Sequence, residues 1–91
     1  MAITVRIPTQ LRSLAAGAAE VSVEGTTVAE VLNALNAAHP GFGERLYDDS
    51  GKLRRFVNVF LDDEDIRFLD GIDSKVVDGA VVSIVPAVAG G

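Results

Sequence analysis

The chain has 91 residues and no cysteine, with 48% hydrophobic residues and a formal net charge of −5. This length predicts one small domain, and the hydrophobic fraction is too high for a disordered chain. The lack of cysteine excludes disulfides, thiolate metal sites and a cysteine nucleophile. The negative charge predicts no nucleic-acid partner, because a phosphate backbone would repel it. The acidity either suits a partner with a basic face or serves solubility alone.

No segment of the sequence is typical of a secretory signal or a membrane span. The first residues lack a basic region followed by a long apolar run. No apolar stretch approaches the roughly 20 residues that a membrane helix needs. We therefore expect a cytoplasmic protein that makes no contact with a membrane.

Two strands are predicted near the beginning of the chain. Apolar residues alternate with polar ones in two short runs, which contain Ile3, Val5 and Ile7 and then Val21 and Val23. A period of two is typical of half-buried strands, and we expect the pair to form a wide hairpin. Pro8 ends the first strand, and a short helical turn over residues 9–14 precedes a loop at Gly17.

One amphipathic helix is predicted after the second strand. Thr27 and Glu30 form a capping box, in which each side chain can satisfy a free amide at the helix start. Apolar residues then follow helical spacing, at Val28, Val31, Leu32, Leu35 and Ala38. The run His39-Pro40-Gly41 ends the helix, because proline cannot continue it. His39 is expected at the helix end rather than in a catalytic role.

The second half of the chain predicts three more strands. We expect them over residues 56–61, 66–68 and 80–85. The connections are a turn at residues 44–47, an acidic turn at residues 62–65, a helical turn within residues 71–75 and the turn Asp78-Gly79. The acidic turn lacks the ligand spacing and the central glycine of an EF-hand, so we expect a solvated turn there and no metal.

Alternation along the third strand divides its side chains into two sets. The sets are Val57, Val59 and Leu61 on one side and Phe56, Asn58 and Phe60 on the other. If the first set faces the helix, Phe56 and Phe60 lie on the open face of the sheet with Val81 and Val85. Such an exposed apolar patch would be a docking surface. Loops over the rings, or a β-bulge near Asn58, would remove it. Three basic residues either contact an acidic partner or lie in solvent: Arg54, Arg55 and Arg67.

The chain ends in a tail of small side chains. Pro86 cannot donate to a sheet ladder and marks where the chain leaves the sheet. We expect residues 1–86 to form the domain and residues 87–91 a flexible tail, which spans about 17 Å when extended. Gly90 and Gly91 can enter a channel too narrow for a Cβ. The Gly91 carboxylate is a poor electrophile, so a partner must activate it, since the chain has no phosphate-binding glycine loop of its own.

The order of elements is strand, strand, helix, strand, short strand, strand. One helix can cover a mixed sheet if the first and last strands lie side by side at its centre. This arrangement is the α+β fold called β-grasp, or ubiquitin-like.

The chain resembles the prokaryotic ubiquitin-like sulfur carriers of the MoaD and ThiS family, and within it an actinobacterial branch that serves cysteine biosynthesis. The resemblance covers nearly the whole chain. It rests on ITVRIPT at residues 3–9, FGERL at residues 42–46, RFVNVFLDDEDIRF at residues 55–68 and VPAVAGG at residues 85–91. The diglycine is common to every branch, while the third-strand segment and the Pro-Ala-Val-Ala stem favour the cysteine branch. The alanine-rich loop at residues 14–19 is the clearest departure.

The resemblance implies a protein co-substrate rather than an enzyme, with no cofactor of its own. An E1-like enzyme would adenylate the Gly91 carboxylate with ATP, and sulfur would replace AMP to give a thiocarboxylate. A pyridoxal-phosphate-dependent (PLP) synthase would let this sulfur attack an aminoacrylate made from activated serine. A metal-dependent protease would then release cysteine and restore the diglycine. Val88, Ala89 and Gly90 would lie in the partner's channel.

Three alternatives remain open at this point. The same carrier chemistry could supply thiamin thiazole, molybdopterin or a sulfur-containing natural product through another synthase. A protein-conjugating modifier would join Gly91 to a lysine amine. A plain interaction module would have no use for its tail.

Overall fold

The computed structural model describes residues 2–54 and 57–86, which form a mixed sheet with helices on one face. The five strands are β1 (Ala2–Arg6), β2 (Glu20–Glu24), β3 (Val57–Leu61), β4 (Glu64–Asp65) and β5 (Val81–Pro86). The helices are α1 (Val28–Ala38) and α2 (Phe42–Leu46), with 3₁₀ turns at Thr9–Ala15, Ile66–Phe68 and Gly71–Asp73. The first and last of these turns lie where helical turns are predicted.

The strand order across the sheet is β2-β1-β5-β3-β4. β1 and β5 are parallel neighbours at the centre, while β1 and β2, β5 and β3, and β3 and β4 pair in antiparallel fashion. The predicted hairpin of the first two strands and the central pairing of the first and last strands are both confirmed. The fold is therefore the predicted β-grasp.

The core lies between the sheet and α1. Four helix residues are completely buried: Val28, Val31, Leu32 and Leu35. The sheet meets them with alternate residues of its inner face, among them Ile3, Val5, Val59, Val82 and Ile84. Burial of such side chains contributes roughly 1.5–3 kcal/mol each. Ala38, the fifth residue of the predicted apolar stripe, is exposed because it is the last residue of α1.

The start of α1 differs from the predicted reciprocal capping box. The Thr27 hydroxyl accepts a hydrogen bond from the Glu30 amide at 3.2 Å, as predicted. The Glu30 carboxylate, however, reaches Thr26, accepting its amide at 2.8 Å and its hydroxyl at 2.7 Å. Both bonds lower the pKa of Glu30, and the bond from the Thr26 hydroxyl has the larger effect. Thr26 offers two donors, its amide and its hydroxyl, so the Glu30 carboxylate bonds to Thr26 rather than to the amide of Thr27.

Replacing Thr27 by alanine tests the capping bond. The change leaves the Glu30 amide without its acceptor and should lower the free energy of unfolding by about 1 kcal/mol. Urea unfolding followed by circular dichroism measures this difference. Thr27→Ser keeps the hydroxyl and should unfold at nearly the parent midpoint. An unchanged midpoint for Thr27→Ala would show that the bond contributes nothing.

The segment after α1 contains a helix where a turn is predicted. Residues 44–47 were expected to turn, whereas α2 covers Phe42–Leu46. Gly41 precedes it with φ of +116°, a conformation that favours glycine, and lets the chain reverse after α1. Phe42 and Leu46 lie on one face of α2 and are fully buried. This burial stabilises a helix too short to show a periodic pattern in the sequence.

The acidic turn leads into β4 sooner than predicted. The strand expected at residues 66–68 lies instead at Glu64–Asp65, and residues 66–68 form a 3₁₀ turn. Asp62 and Asp63 make the tight turn, with φ of +49° and +76°. The Asp65 carboxylate then accepts a hydrogen bond from the Arg67 amide at 2.9 Å. This cap bends the chain into a helical turn and ends the strand.

Candidate functional site

The two faces of β3 are those that alternation predicts. Val59 lies opposite Ile84 of β5, and both are buried under α1. Asn58 and Phe60 lie opposite Val85 and Ser83 on the other face. The register runs without interruption from Val57 to Leu61, so no bulge reverses the faces there. The predicted placement of Phe60 on the open face of the sheet is confirmed.

Three apolar side chains share this open face, and we call Phe60, Val81 and Val85 the sheet patch. Val81 and Val85 are the diagonal neighbours of Phe60, at roughly 7–8 Å between Cα atoms, which an aromatic ring can span. Val85 exposes 43% of its surface, and the other two are half-buried. Phe56, which was predicted to belong to the same surface, lies outside the described residues.

The sheet patch is flanked by charged groups. Arg6 lies beyond Ser83 on β1 and pairs with Glu20 of β2 at 3.5 Å. Both side chains are more than half exposed, at 60% and 58%, so this ion pair contributes at most about 1 kcal/mol. At the other end, the Asp62 carboxylate accepts a hydrogen bond from the Val81 amide at 2.9 Å. The face therefore combines an apolar centre with a charged border.

The last strand connects the sheet patch to the tail. Pro86 pairs with Val57 in the final ladder position of β5, immediately after Val85. The predicted site residues Val88, Ala89, Gly90 and Gly91 lie outside the described residues. The patch is thus carried by the strand that leads into the tail.

Two carboxylates of the described chain accept hydrogen bonds from neighbouring side chains. The Ser50 hydroxyl is the main cause that lowers the pKa of Asp48, and the Arg67 side chain does the same for Asp65. Burial raises the pKa of Tyr47. Within residues 2–54 and 57–86, no cluster of three or more His, Asp or Glu side chains is placed to hold a metal. The same residues include no helix long and apolar enough to cross a membrane.

A cleft on the α1 side of the sheet was not predicted. It has a volume of about 330 Å³ and is lined mainly by Leu53, Val57, Val59, Ile66 and Ile72, with Arg54 and Arg67 at its border. We call it the β3 cleft. Its lining comes from one loop, the strands β3 and β4 and two 3₁₀ turns, which only the tertiary fold brings together. The sequence carries no periodic signal for it, although Arg54 and Arg67 were considered as contacts for an acidic partner.

Comparison with known proteins gives a consistent result. The ThiS family model matches residues 5–91. Sulfur carrier protein CysO of Mycobacterium tuberculosis is 48% identical over 100% of both chains. The structure of an Amycolatopsis orientalis BexX/CysO complex gives a TM-score of 0.91 and 44% identity, covering 98% of this chain and 99% of the other. SAMP1, a small archaeal modifier protein of Haloferax volcanii, gives a TM-score of 0.86 and 26% identity over 100% of both chains. The chain belongs to the ThiS family.

Proposed function

We propose that this chain is a sulfur carrier, and that its sulfur is used to make cysteine. The observation that carries the proposal is the 48% identity to CysO, a sulfur carrier protein, over the full length of both chains. The β-grasp domain supports it, because its last strand ends at Pro86, five residues before Gly91. A short tail of small side chains beyond a stable sheet is suited to enter the active site of a partner.

The proposed chemistry takes place on the Gly91 carboxylate. One carboxylate oxygen attacks the α-phosphorus of ATP, and pyrophosphate leaves. A sulfide donor then attacks the acyl carbon, and AMP leaves with the electrons of the C–O bond. The resulting thiocarboxylate is a nucleophile that a PLP-dependent synthase can direct at a carbon derived from activated serine. Hydrolysis by a metal-dependent protease would restore the diglycine and release cysteine.

The sheet patch is the proposed contact for the E1-like enzyme. It is apolar, partly exposed and carried by the strand that leads into the tail. The patch includes Val85, the residue before Pro86, and Gly91 can reach about 17 Å from Pro86, the span of five extended residues. A modifier function is the second candidate, because the fold also resembles that of the modifier protein SAMP1. In that case Gly91 would be joined to a lysine amine.

Phe60→Ala tests the docking role of the sheet patch. Since the ring is only half-buried, the loss of stability should stay well below the roughly 3–5 kcal/mol of a core phenylalanine. Binding to the adenylating enzyme should weaken about thirtyfold, as for an aromatic residue at the centre of an interface. Thermal melts and calorimetric titration measure the two effects separately.

Phe68→Ala is the matched control for that experiment. Phe68 lies in a 3₁₀ turn outside the sheet and is 84% exposed, so its removal should change neither property. Normal binding by Phe60→Ala, or an equal loss in Phe68→Ala, would reject the docking role.

Reconstitution tests the proposed function itself. The full chain is incubated with ATP, a sulfide donor, the adenylating enzyme and the PLP-dependent synthase, and its intact mass is followed. We expect the mass of the chain to rise by the difference between a sulfur and an oxygen atom. A cysteine adduct should then form when activated serine is supplied. A thiocarboxylate that passes sulfur only to another acceptor would reject the cysteine assignment. Isopeptide adducts without sulfur exchange would favour the modifier, and an unchanged mass would contradict both.

A further inference from the structure

We propose that the outer edge of β2 binds an extended segment of a partner protein that carries a basic residue opposite Glu20. The segment would lie beside β2 as an added strand at the end of the five-stranded sheet. The proposal does not depend on what the tail carries, and the surface is separate from the sheet patch and the β3 cleft. Its basis is an exposed row of backbone groups on β2, with acidic side chains along that row.

Alternate residues of β2 turn their backbone groups toward β1. In an antiparallel pair of strands, every second pair of opposite residues exchanges both hydrogen bonds. The Ile7 amide donates to the Ala19 carbonyl at 2.8 Å, so the bonded residues of β2 itself are Val21 and Val23. The Thr4 amide agrees with this pattern, because it donates at 3.0 Å to the residue that precedes β5 and so faces away from β2.

The other residues of β2 turn their backbone groups away from the sheet. These residues are Glu20, Ser22 and Glu24, and all three are exposed. We call their outward amides and carbonyls the β2 edge. In the described part of the chain, β2 is the first strand of the sheet order and pairs only with β1. An exposed strand edge is a template for an added strand, whose main chain supplies hydrogen bonds.

The chain that follows β2 turns inward and not along this edge. The turn occurs at Gly25, where a Cβ would approach the Val31 amide nitrogen to 3.0 Å. Just beyond it, the Val28 amide donates at 3.0 Å to the carbonyl of Ser74, which belongs to the segment leading into β5. Since β5 lies on the far side of β1, the connection runs toward the centre of the sheet. The β2 edge is therefore left open to a partner.

An added strand would have two different faces. Its side chains opposite Glu20 would point to the open face of the sheet, and those opposite Val21 to the α1 side. Val21 and Ala34 of α1 are both half-buried at the margin of the core. Ala34 lies one helical turn after Glu30, whose Cβ is next to Gly25, so it lies on the flank of α1 toward β2. The segment should therefore carry an apolar residue opposite Val21.

The charges of β2 exclude a second copy of this chain as the occupant. Like charges directly opposite each other destabilise a pair of strands. Two copies paired through the β2 edge with full overlap would place Glu20 opposite Glu24 on both sides of Ser22. The tail of a second copy offers no basic side chain, since its sequence is AVAGG. The occupant is therefore a different protein.

Glu20 favours a basic residue in that protein. Its Oε2 atom lies 3.5 Å from Nε of Arg6, which belongs to β1 on the inner side of β2. A carboxylate has a second oxygen that can accept hydrogen bonds from another cation. A Lys or Arg on the added strand, opposite Glu20, would approach from the outer side. Glu24 adds a second negative charge to the same strand, so the segment should contain more than one basic residue.

The test is selection of a displayed library of random linear peptides on the full chain. We expect enriched peptides to alternate Lys or Arg with apolar residues. Amide hydrogen exchange, followed residue by residue by NMR, then locates the bound peptide. In the free chain the amides of Glu20 and Ser22 should exchange fast, whereas those of Val21 and Val23 are protected by β1. At ten times its Kd or more, the peptide should protect Glu20 and Ser22 about tenfold or more and leave Val21 and Val23 unchanged.

Ser22→Pro removes one outward amide and leaves the bonds to β1 in place. Proline is tolerated in an edge strand where the N–H would face solvent, so this variant should fold, as a thermal melt can verify. It should weaken peptide binding about tenfold, because a main-chain hydrogen bond is lost and the ring crowds the added strand. Ser22→Thr keeps the amide and should bind normally.

Glu20→Lys tests the charge preference and should weaken the basic peptides at least about tenfold, since an attraction is replaced by a repulsion. Glu64→Lys is the matched control, because it changes the net charge equally at the opposite end of the strand order, on β4. It should bind normally. The proposal is overturned if no peptide is enriched, if protection does not alternate along β2, or if the chain alone gains this protection as its concentration rises. It is also overturned if folded Ser22→Pro or Glu20→Lys binds normally, or if Glu64→Lys loses as much as Glu20→Lys.

Discussion

Deletion of Gly91 is expected to abolish activation of the chain and to leave its melting temperature unchanged. The described core ends at Ile84 and the sheet ends at Pro86, five residues before residue 91. Deletion draws the terminal carboxylate back by about 3.3 Å. A misplacement of only about 1 Å can reduce a reaction rate a hundredfold. Thermal melts and the rate of pyrophosphate release with ATP and the adenylating enzyme measure the two effects.

A chain extended by one glycine is the control for the distance between Pro86 and the terminal carboxylate. It carries the same terminal group on the same kind of residue, but at the wrong distance from Pro86. If position matters, the extended chain should also be activated poorly, although its tail is as narrow as that of the parent. Activation of the shortened chain at the parent rate would disprove the role of the diglycine. Activation of both variants at the parent rate would show that the partner tolerates any tail length.

The architecture could be predicted from the sequence because its main elements have strong local signals. β1 and β2 alternate with a period of two, and α1 has a capping residue and an apolar stripe of helical spacing. Pro8, Pro40 and Pro86 mark where three of these elements end. Given five strands and one helix, pairing the first strand with the last is what allows one helix to cover the sheet.

The errors fall where the local signal is short. α2 has five residues, and its stability depends on burying Phe42 and Leu46, which the sequence alone does not show. β4 has two residues, and a hydrogen bond from the Arg67 amide to the Asp65 carboxylate decides where it ends. In both cases a tertiary contact or a single side-chain bond outweighs propensity. Such contacts are visible only in the folded chain.

Of the candidate site, the sheet patch could be predicted from the sequence and the β3 cleft could not. Placing Phe60 and Val85 on the open face required only the alternation of β3 and β5. The β3 cleft could not be predicted, because Leu53, Ile66 and Ile72 belong to elements that have no fixed spacing from β3. Arg54 shows the difference clearly. The sequence identifies it as a charge near a strand, and only the structure places it between two cavities.

Gly90→Val is the second variant from which we expect a large effect. The substitution adds a branched side chain to the tail, beyond the last strand residue Pro86. Stability should stay within about 0.5 kcal/mol of the parent, as for an ordinary exposed site. Activation should fall about a hundredfold or more if the channel of the partner excludes a Cβ, because the carboxylate then cannot reach ATP. Melts and adenylation kinetics with the full chain measure both quantities.

Two further substitutions separate channel width from general damage to the tail. Gly90→Ala adds only a Cβ and should give an intermediate rate, since a methyl group excludes less volume than an isopropyl group. Ala87→Val adds a branched side chain next to Pro86, four residues before the terminal carboxylate. It should therefore be activated better than Gly90→Val. Equal rates for Gly90→Val and the parent would reject a narrow channel. Equal losses at residues 87 and 90 would indicate instead that the whole tail must remain slender.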